Sequence, residues 1–269
     1  MDPLVRQNVM RSGTPGGQPL LFAHGFGCDQ TMWRHVAPAF TDRYEVITFD
    51  HIGAGGSDLS AYDPVKYADL RGYASDILEI VEALDLRDVV LVGHSVSAMI
   101  GALAVIEAPE RFSSLVMVGP SPRYIDDGDY TGGFSREDID ELLDSLASNF
   151  LGWSAAMAPA IVGNPDRAEL GAELTASFCR MDPDIARQFA RATFLSDNRQ
   201  DLGRISVPTL VLQCADDIIA PSSVGAYVAG AVPDGTLVQM SATGHCPNLS
   251  APEETVAVID DFLRRRPAA

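Results

Sequence analysis

The residues best suited to chemistry lie in Val92-Gly93-His94-Ser95-Val96-Ser97-Ala98-Met99, where an apolar strand pattern runs straight into a helical one. A serine at such a strand-to-helix turn is held on a sharp bend with its hydroxyl lifted above the sheet, the setting of a nucleophilic Ser95. The usual pattern has glycine two residues after the nucleophile; here Ser97 stands there and is small enough for the crossing. The plainer alternative is that Ser95 only caps the helix. A nucleophilic serine needs a base, and the chain has five histidines. His35 lies in a helical window, His51 in a glycine-rich loop, and His94 adjoins Ser95 and points away from it. His24 opens a turn better suited to presenting backbone N–H groups. His245, in Thr243-Gly244-His245-Cys246-Pro247 after the last strand, remains as the base. The orienting acid follows a strand between Ser95 and His245, and Cys214-Ala215-Asp216-Asp217 offers two adjacent carboxylates that the residues alone do not separate. Backbone N–H groups of Phe26, in His24-Gly25-Phe26-Gly27, and of Val96, at a helix start, suit a developing oxyanion.

These residues need a sheet to carry them. Pro19–Ala23, Tyr44–Phe49, Val89–Val92, Leu115–Val118, Thr209–Leu212 and Thr236–Met240 read as strands. Helical windows at Leu70–Leu84, Val96–Ala108, Ser222–Ala231 and Glu253–Arg264 alternate with them. The near-continuous apolar strands belong to a mostly parallel sheet covered on both faces. From Arg123 to Asn198 the strand signal lapses. Helical windows at Arg136–Ser148, Ser154–Ile161, Asp166–Phe178 and Pro183–Leu195 read there as a cap inserted above the sheet. The expected division is an α/β core of residues 1–122 and 199–269 with an insertion at 123–198. Gly13-Thr14-Pro15-Gly16-Gly17 lacks the Lys-Ser/Thr of a phosphate loop and reads as a turn joining the first two strands.

The 269 residues are 46% hydrophobic and 21% charged, and 37 acidic against 19 basic residues leave a formal charge of −18. That charge disfavours nucleic acid and anionic membrane surfaces as partners. No apolar run reaches the roughly 18 residues of a spanning helix, and the first residues lack a secretory pattern. Cys28, Cys179, Cys214 and Cys246 are scattered, without a Cys-x-x-Cys pair, and read as reduced thiols of a cytoplasmic protein. No metal site or cofactor is expected.

The chain resembles the α/β-hydrolase fold, and within it the group of the bacterial stress regulator RsbQ and the plant karrikin and strigolactone receptors. The resemblance rests on His24-Gly25-Phe26-Gly27-Cys28-Asp29-Gln30, Gly93–Gly101, Ser121-Pro122-Arg123-Tyr124, Asp127–Phe134, Leu212–Asp217 and Gly244-His245-Cys246-Pro247. It implies a triad of Ser95, Asp217 and His245, choosing Asp217 over Asp216. It also implies that the insertion is a four-helix lid over an apolar pocket lined by Phe26, Phe134, Leu142, Trp153, Met157, Leu174, Phe194 and Ile218. Met157 and Leu174 are aliphatic where the karrikin receptors carry aromatic rings. Two functions follow as expectations. One is a cofactor-free serine hydrolase of small hydrophobic esters or lactones. The other is a signalling module that captures such a molecule and presents its lid to a regulatory protein partner.

Overall fold

The computed structural model describes residues 2–265. Its strands are β1 (Met10–Gly13), β2 (Gln18–Ala23), β3 (Tyr44–Thr48), β4 (Val89–His94), β5 (Phe112–Val118), β6 (Thr209–Gln213) and β7 (Gly235–Gln239). The first helices are α1 (Pro3–Arg6), α2 (Leu70–Ala83) and α3 (Val96–Glu107). Then come α4 (Arg136–Ser148), α5 (Phe150–Val162), α6 (Ala168–Phe178) and α7 (Pro183–Phe194), and last α8 (Ser222–Ala231), α9 (Pro247–Ser250) and α10 (Pro252–Arg264). Among the described residues no helix is long and apolar enough to cross a membrane.

One sheet of seven strands has the order β1-β3-β2-β4-β5-β6-β7; β1 runs antiparallel to β3 and every other pairing is parallel. After β2 the chain builds outward to β3, then returns to place β4 on the other side of β2. The connections therefore diverge between β2 and β4, and their carboxyl ends frame a crevice there. All six residues of β4 are buried, as are Leu20–Ala23 of β2. Such strands carry continuous apolar runs because helices cover both faces. Helix α3 is buried from Val96 to Val105 and so is apolar on all sides, whereas α2 buries one face through Ile77, Ile80 and Val81. Strand β1, wholly exposed, carries no hydrophobic pattern by which it could have been read.

Helices α4–α7 occupy the chain between β5 and β6, and their boundaries follow capping chemistry. The Ser135 hydroxyl accepts the Asp138 N–H (3.0 Å) while the Asp138 carboxylate accepts the Ser135 N–H (2.8 Å), starting α4. Asn149 Oδ1 accepts the Gly152 N–H (3.0 Å), so α5 starts at Phe150, four residues before the Ser154 expected from the sequence. Asp182 Oδ1 accepts N–H groups of Asp184 and Ile185 and starts α7. Helix α6 is tied to the core by the Ser177 hydroxyl on the Gly27 carbonyl (2.8 Å) and by the ion pairs Arg180–Asp29 (2.8 Å) and Arg34–Glu173 (2.6 Å).

Candidate active site

Ser95 has φ 56° and ψ −123°, a backbone region that L-residues avoid. The strain is held by its own N–H on the Val118 carbonyl (2.8 Å) and by the tight entry into α3. Gly93 is obligatory, because a Cβ there would run into the Ser97 carbonyl. Position 97 carries no such limit, and its side chain fits fully buried. The Ser95 hydroxyl donates to His245 Nε2 (2.7 Å), and His245 Nδ1–H donates to Asp217 Oδ2 (2.7 Å). Asp217 Oδ1 accepts the N–H groups of Ile219 (2.8 Å) and Ala220 (3.1 Å). Burial would raise the Asp217 pKa, but electrostatic attraction to the His245 ring and these hydrogen bonds outweigh it and hold the carboxyl below its ordinary value. Asp216 is exposed and contributes its backbone carbonyl, which accepts the Gly244 N–H (2.6 Å).

The other histidines do different work. His35 is exposed. His94 turns away from the hydroxyl and donates from Nε2 to the His245 carbonyl (2.8 Å); burial and the neighbouring His245 press its pKa down to about 3. Val96 opens α3, so its N–H has no partner within the helix. Among the described residues neither it nor the Phe26 N–H donates elsewhere.

The cavity above Ser95 is lined by Phe26, Leu174 and Phe194 from the expected set, and also by Cys28, His94, Tyr124, Ile161, Phe178, Thr193, Ile219, His245 and Cys246. Five expected residues do not line it. Phe134, Leu142 and Met157 are half-buried packing residues on the core. Trp153 forms a second layer, stacked on Phe178 (5.5 Å between ring centroids) and edge-on to Phe26 (6.2 Å). Ile218 is 50% exposed. The Asp217 carboxylate folds the chain back onto the Ile219 N–H, and Ile219 faces inward in its stead. Cys28 and Cys246 were legible as neighbours of Gly27 and His245, whereas Phe178, Tyr124 and Thr193 reach the site only through tertiary packing. Burial raises the Cys246 thiol pKa and pushes that of Cys28 up to about 12, so neither is a thiolate at neutral pH. Apart from Asp217 beneath it, the cavity meets no ionised side chain. Among the described residues the Thr193 hydroxyl has no hydrogen-bond partner, and the Tyr124 hydroxyl lies beside the Ser95 side chain without a well-formed bond. Its volume is about 30 Å³, room for roughly two waters. A surface groove of about 810 Å³ bordered by Met10, Trp33, Arg34 and Arg180 contains none of Ser95, Asp217 and His245.

A strained serine at the switch between β2 and β4, a histidine from the loop after β7 and an aspartate after β6 agree with a match of residues 20–258 to the alpha/beta hydrolase family. The chain belongs to the alpha/beta hydrolase family. A hydrolase from Oleispira antarctica superposes with a TM-score of 0.96 at 40% identity, covering 98% of this chain and 97% of that one. The strigolactone esterase D14 of Arabidopsis thaliana is 40% identical over 96% of this chain and 95% of its own length. The karrikin insensitive 2 receptor CA of Petunia hybrida is 39% identical over 91% of each. This alpha/beta hydrolase thus has relatives named as esterases and as receptors at nearly equal identity.

Proposed function

We propose that the chain is a serine hydrolase of small, neutral esters or lactones, with Ser95 as nucleophile, His245 as base and Asp217 as its orienting acid. Ser95 Oγ attacks the carbonyl carbon as its proton passes to His245 Nε2. Asp217 holds the Nδ1–H tautomer and stabilises the imidazolium. The Phe26 and Val96 N–H groups receive the oxyanion, a single such donor being worth about 3 kcal/mol in comparable sites. The imidazolium then protonates the leaving alkoxide, and water, deprotonated by His245, releases the acid from the acyl-enzyme. The observation that carries this reading is the unbroken chain of two 2.7 Å hydrogen bonds from Ser95 to Asp217 beneath an uncharged cavity. A free carboxylate entering that cavity would lose its hydration without gaining a cationic partner. The Tyr124 and Thr193 hydroxyls suit an ester or lactone oxygen instead.

A cavity of about 30 Å³ is far below the roughly 300 Å³ of ordinary ligand pockets. Helices α4–α7 therefore act in this reading as a lid that opens to admit substrate. Labelling with a fluorophosphonate probe, located by mass spectrometry, tests the assignment. Ser95 is the expected site and Ser95→Ala the blank; failure of Ser95 to react with the probe overturns it.

A second reading, a receptor-like module that reports ligand capture to a regulatory protein, draws support from one contact. The His245 N–H donates to the Ile161 carbonyl of α5 (2.8 Å), so chemistry at the histidine is felt directly by the inserted helices. Hydrogen exchange in α4–α7 of the stable fluorophosphonate adduct of Ser95 distinguishes it: protection that stays altered is expected for a reporting lid, and return to the free-protein pattern for one that opens only to admit substrate.

A further inference from the structure

Two side chains outside the Ser95–His245–Asp217 chain form a network that ends on the oxyanion loop. The Ser97 hydroxyl, fully buried, donates to the His24 carbonyl. Its one proton is thereby committed, so the contact between His51 Nε2 and Ser97 Oγ (2.8 Å) requires His51 to carry the proton on Nε2 and donate it. The His51 backbone N–H donates in turn to His24 Nε2 (3.0 Å). That nitrogen must be bare, so His24 is the Nδ1–H tautomer, and it donates to the Gly25 carbonyl (2.9 Å).

The last bond matters because the Gly25 carbonyl and the Phe26 N–H are two ends of one planar peptide unit. Holding the oxygen sets the direction of the N–H. The fit leaves no slack: a Cβ on Gly25 would stand 2.6 Å from His94 Nδ1 and 3.3 Å from Ser95 Cβ. The His51 ring is itself wedged edge-on against His24, Tyr73 and Phe189, with centroids 4.7, 5.6 and 6.2 Å away. Burial pushes both His24 and His51 below the ordinary histidine pKa, which keeps both rings neutral as the network requires.

We propose that Ser97 and His51 are positioning residues: the His51 backbone N–H locks His24 in its Nδ1–H tautomer, the Ser97 hydroxyl braces the His24 carbonyl and the His51 ring, and together they aim the Phe26 N–H at the carbonyl oxygen above Ser95. The hydroxyl that stands where glycine is usual in this motif therefore ties the two turns of the site together. Its kinetic consequence rests on the hydrolase reading above; the tautomers do not.

Nitrogen-15 NMR of the histidine side chains in the wild-type protein reads the tautomers without any assay. The expected result is Nδ1–H for His24 and Nε2–H for His51. Nε2–H at His24, or Nδ1–H at His51, overturns the proposal. In kinetics on a short aryl ester, Ser97→Ala is expected to lower kcat about 10-fold with KM within twofold, less than the 10²–10³ lost when a donor is removed outright. Affinity for an aryl boronic acid, whose tetrahedral adduct occupies the oxyanion position, falls by a similar factor. His51→Leu gives the same pattern, and His51→Gln, which keeps an N–H where Nε2 stands, recovers most of the loss. An unchanged kcat in folded Ser97→Ala, or a loss lying wholly in KM, overturns the positioning role. Absence of probe labelling at Ser95 in the wild type, with the tautomers as expected, counts against the hydrolase reading alone.

Discussion

The Gly244 Cα lies so close to the end of α5 that a Cβ built on it would run into the Val162 carbonyl oxygen. Gly244 has φ +82°, a conformation favoured by glycine alone, and precedes the His245 whose N–H donates to the neighbouring Ile161 carbonyl. The loop after β7 and helix α5 thus meet backbone to backbone beside His245.

Gly244→Ala is expected to lower turnover at least 10-fold and to destabilise the protein by about 2 kcal/mol, through combined left-handed strain and overlap. Gly203→Ala, with nothing within 4 Å of the added methyl group, is the control and should shift stability by less than about 0.5 kcal/mol. Thermal melts and ester kinetics on both variants check this. Wild-type behaviour of Gly244→Ala would show that the loop does not hold His245 as described.

Asp217→Asn is expected to cost up to about 10⁴ in kcat, since an amide in place of the acceptor permits the wrong histidine tautomer. Asp216→Asn should change the rate little, because its exposed side chain does not bond His245 and the Gly244 contact uses its backbone. Rates compared at equal folded fraction decide between them, and a larger effect at Asp216 reverses the assignment.

Phe178 and not Trp153 walls the cavity, so ring removal at the two positions should differ. Phe178→Leu is expected to extend activity to longer acyl chains, with the triad contacts untouched. Trp153→Leu, one layer out, should widen the profile less and lower stability more, as a truncated core aromatic leaves a void behind it. A kinetic series over acyl length for both variants tests this, and identical profiles would mean that these rings do not set substrate size.

His24, His51 and His94 are buried and neutral, each pressed below its ordinary pKa chiefly by desolvation. Above about pH 6.5 neither folded nor unfolded protein protonates them appreciably, and their contribution to stability is fully present. As pH falls through 6.5 the unfolded chain takes up protons that the folded rings refuse. Stability should then fall by roughly 1.4 kcal/mol per pH unit for each such ring until its folded pKa is reached. Asp217, also depressed, adds its loss only below the ordinary carboxylate range. Urea midpoints at pH 7.5, 6 and 5 should decline steadily, and equal midpoints would show that the rings protonate in place.

Much of this site was legible because its parts are local. Strand β4 is a continuous apolar run, α3 is apolar all round, and Gly93-His94-Ser95 lies between them, so the strained turn is written in consecutive residues. The alternation of strands and helices likewise dictates the parallel sheet, since parallel neighbours need crossovers and crossovers cover both faces. Strand β1 was not legible: it pairs only at an exposed edge, and no hydrophobic burial selects its residues. Nor could composition or spacing choose between Asp216 and Asp217, adjacent and chemically alike. The choice is made by the turn after β6, which buries one carboxylate beside His245 and leaves the other in water. The cavity wall was the least legible part. Whether Phe178 or Trp153 faces Ser95, and whether Ile218 or Ile219 points inward, depends on how α5, α6 and the Asp217 turn rotate against the sheet. Amphipathic periodicity identifies the buried face of a helix, but only the packed neighbour decides which residue on that face meets the substrate and which meets another ring.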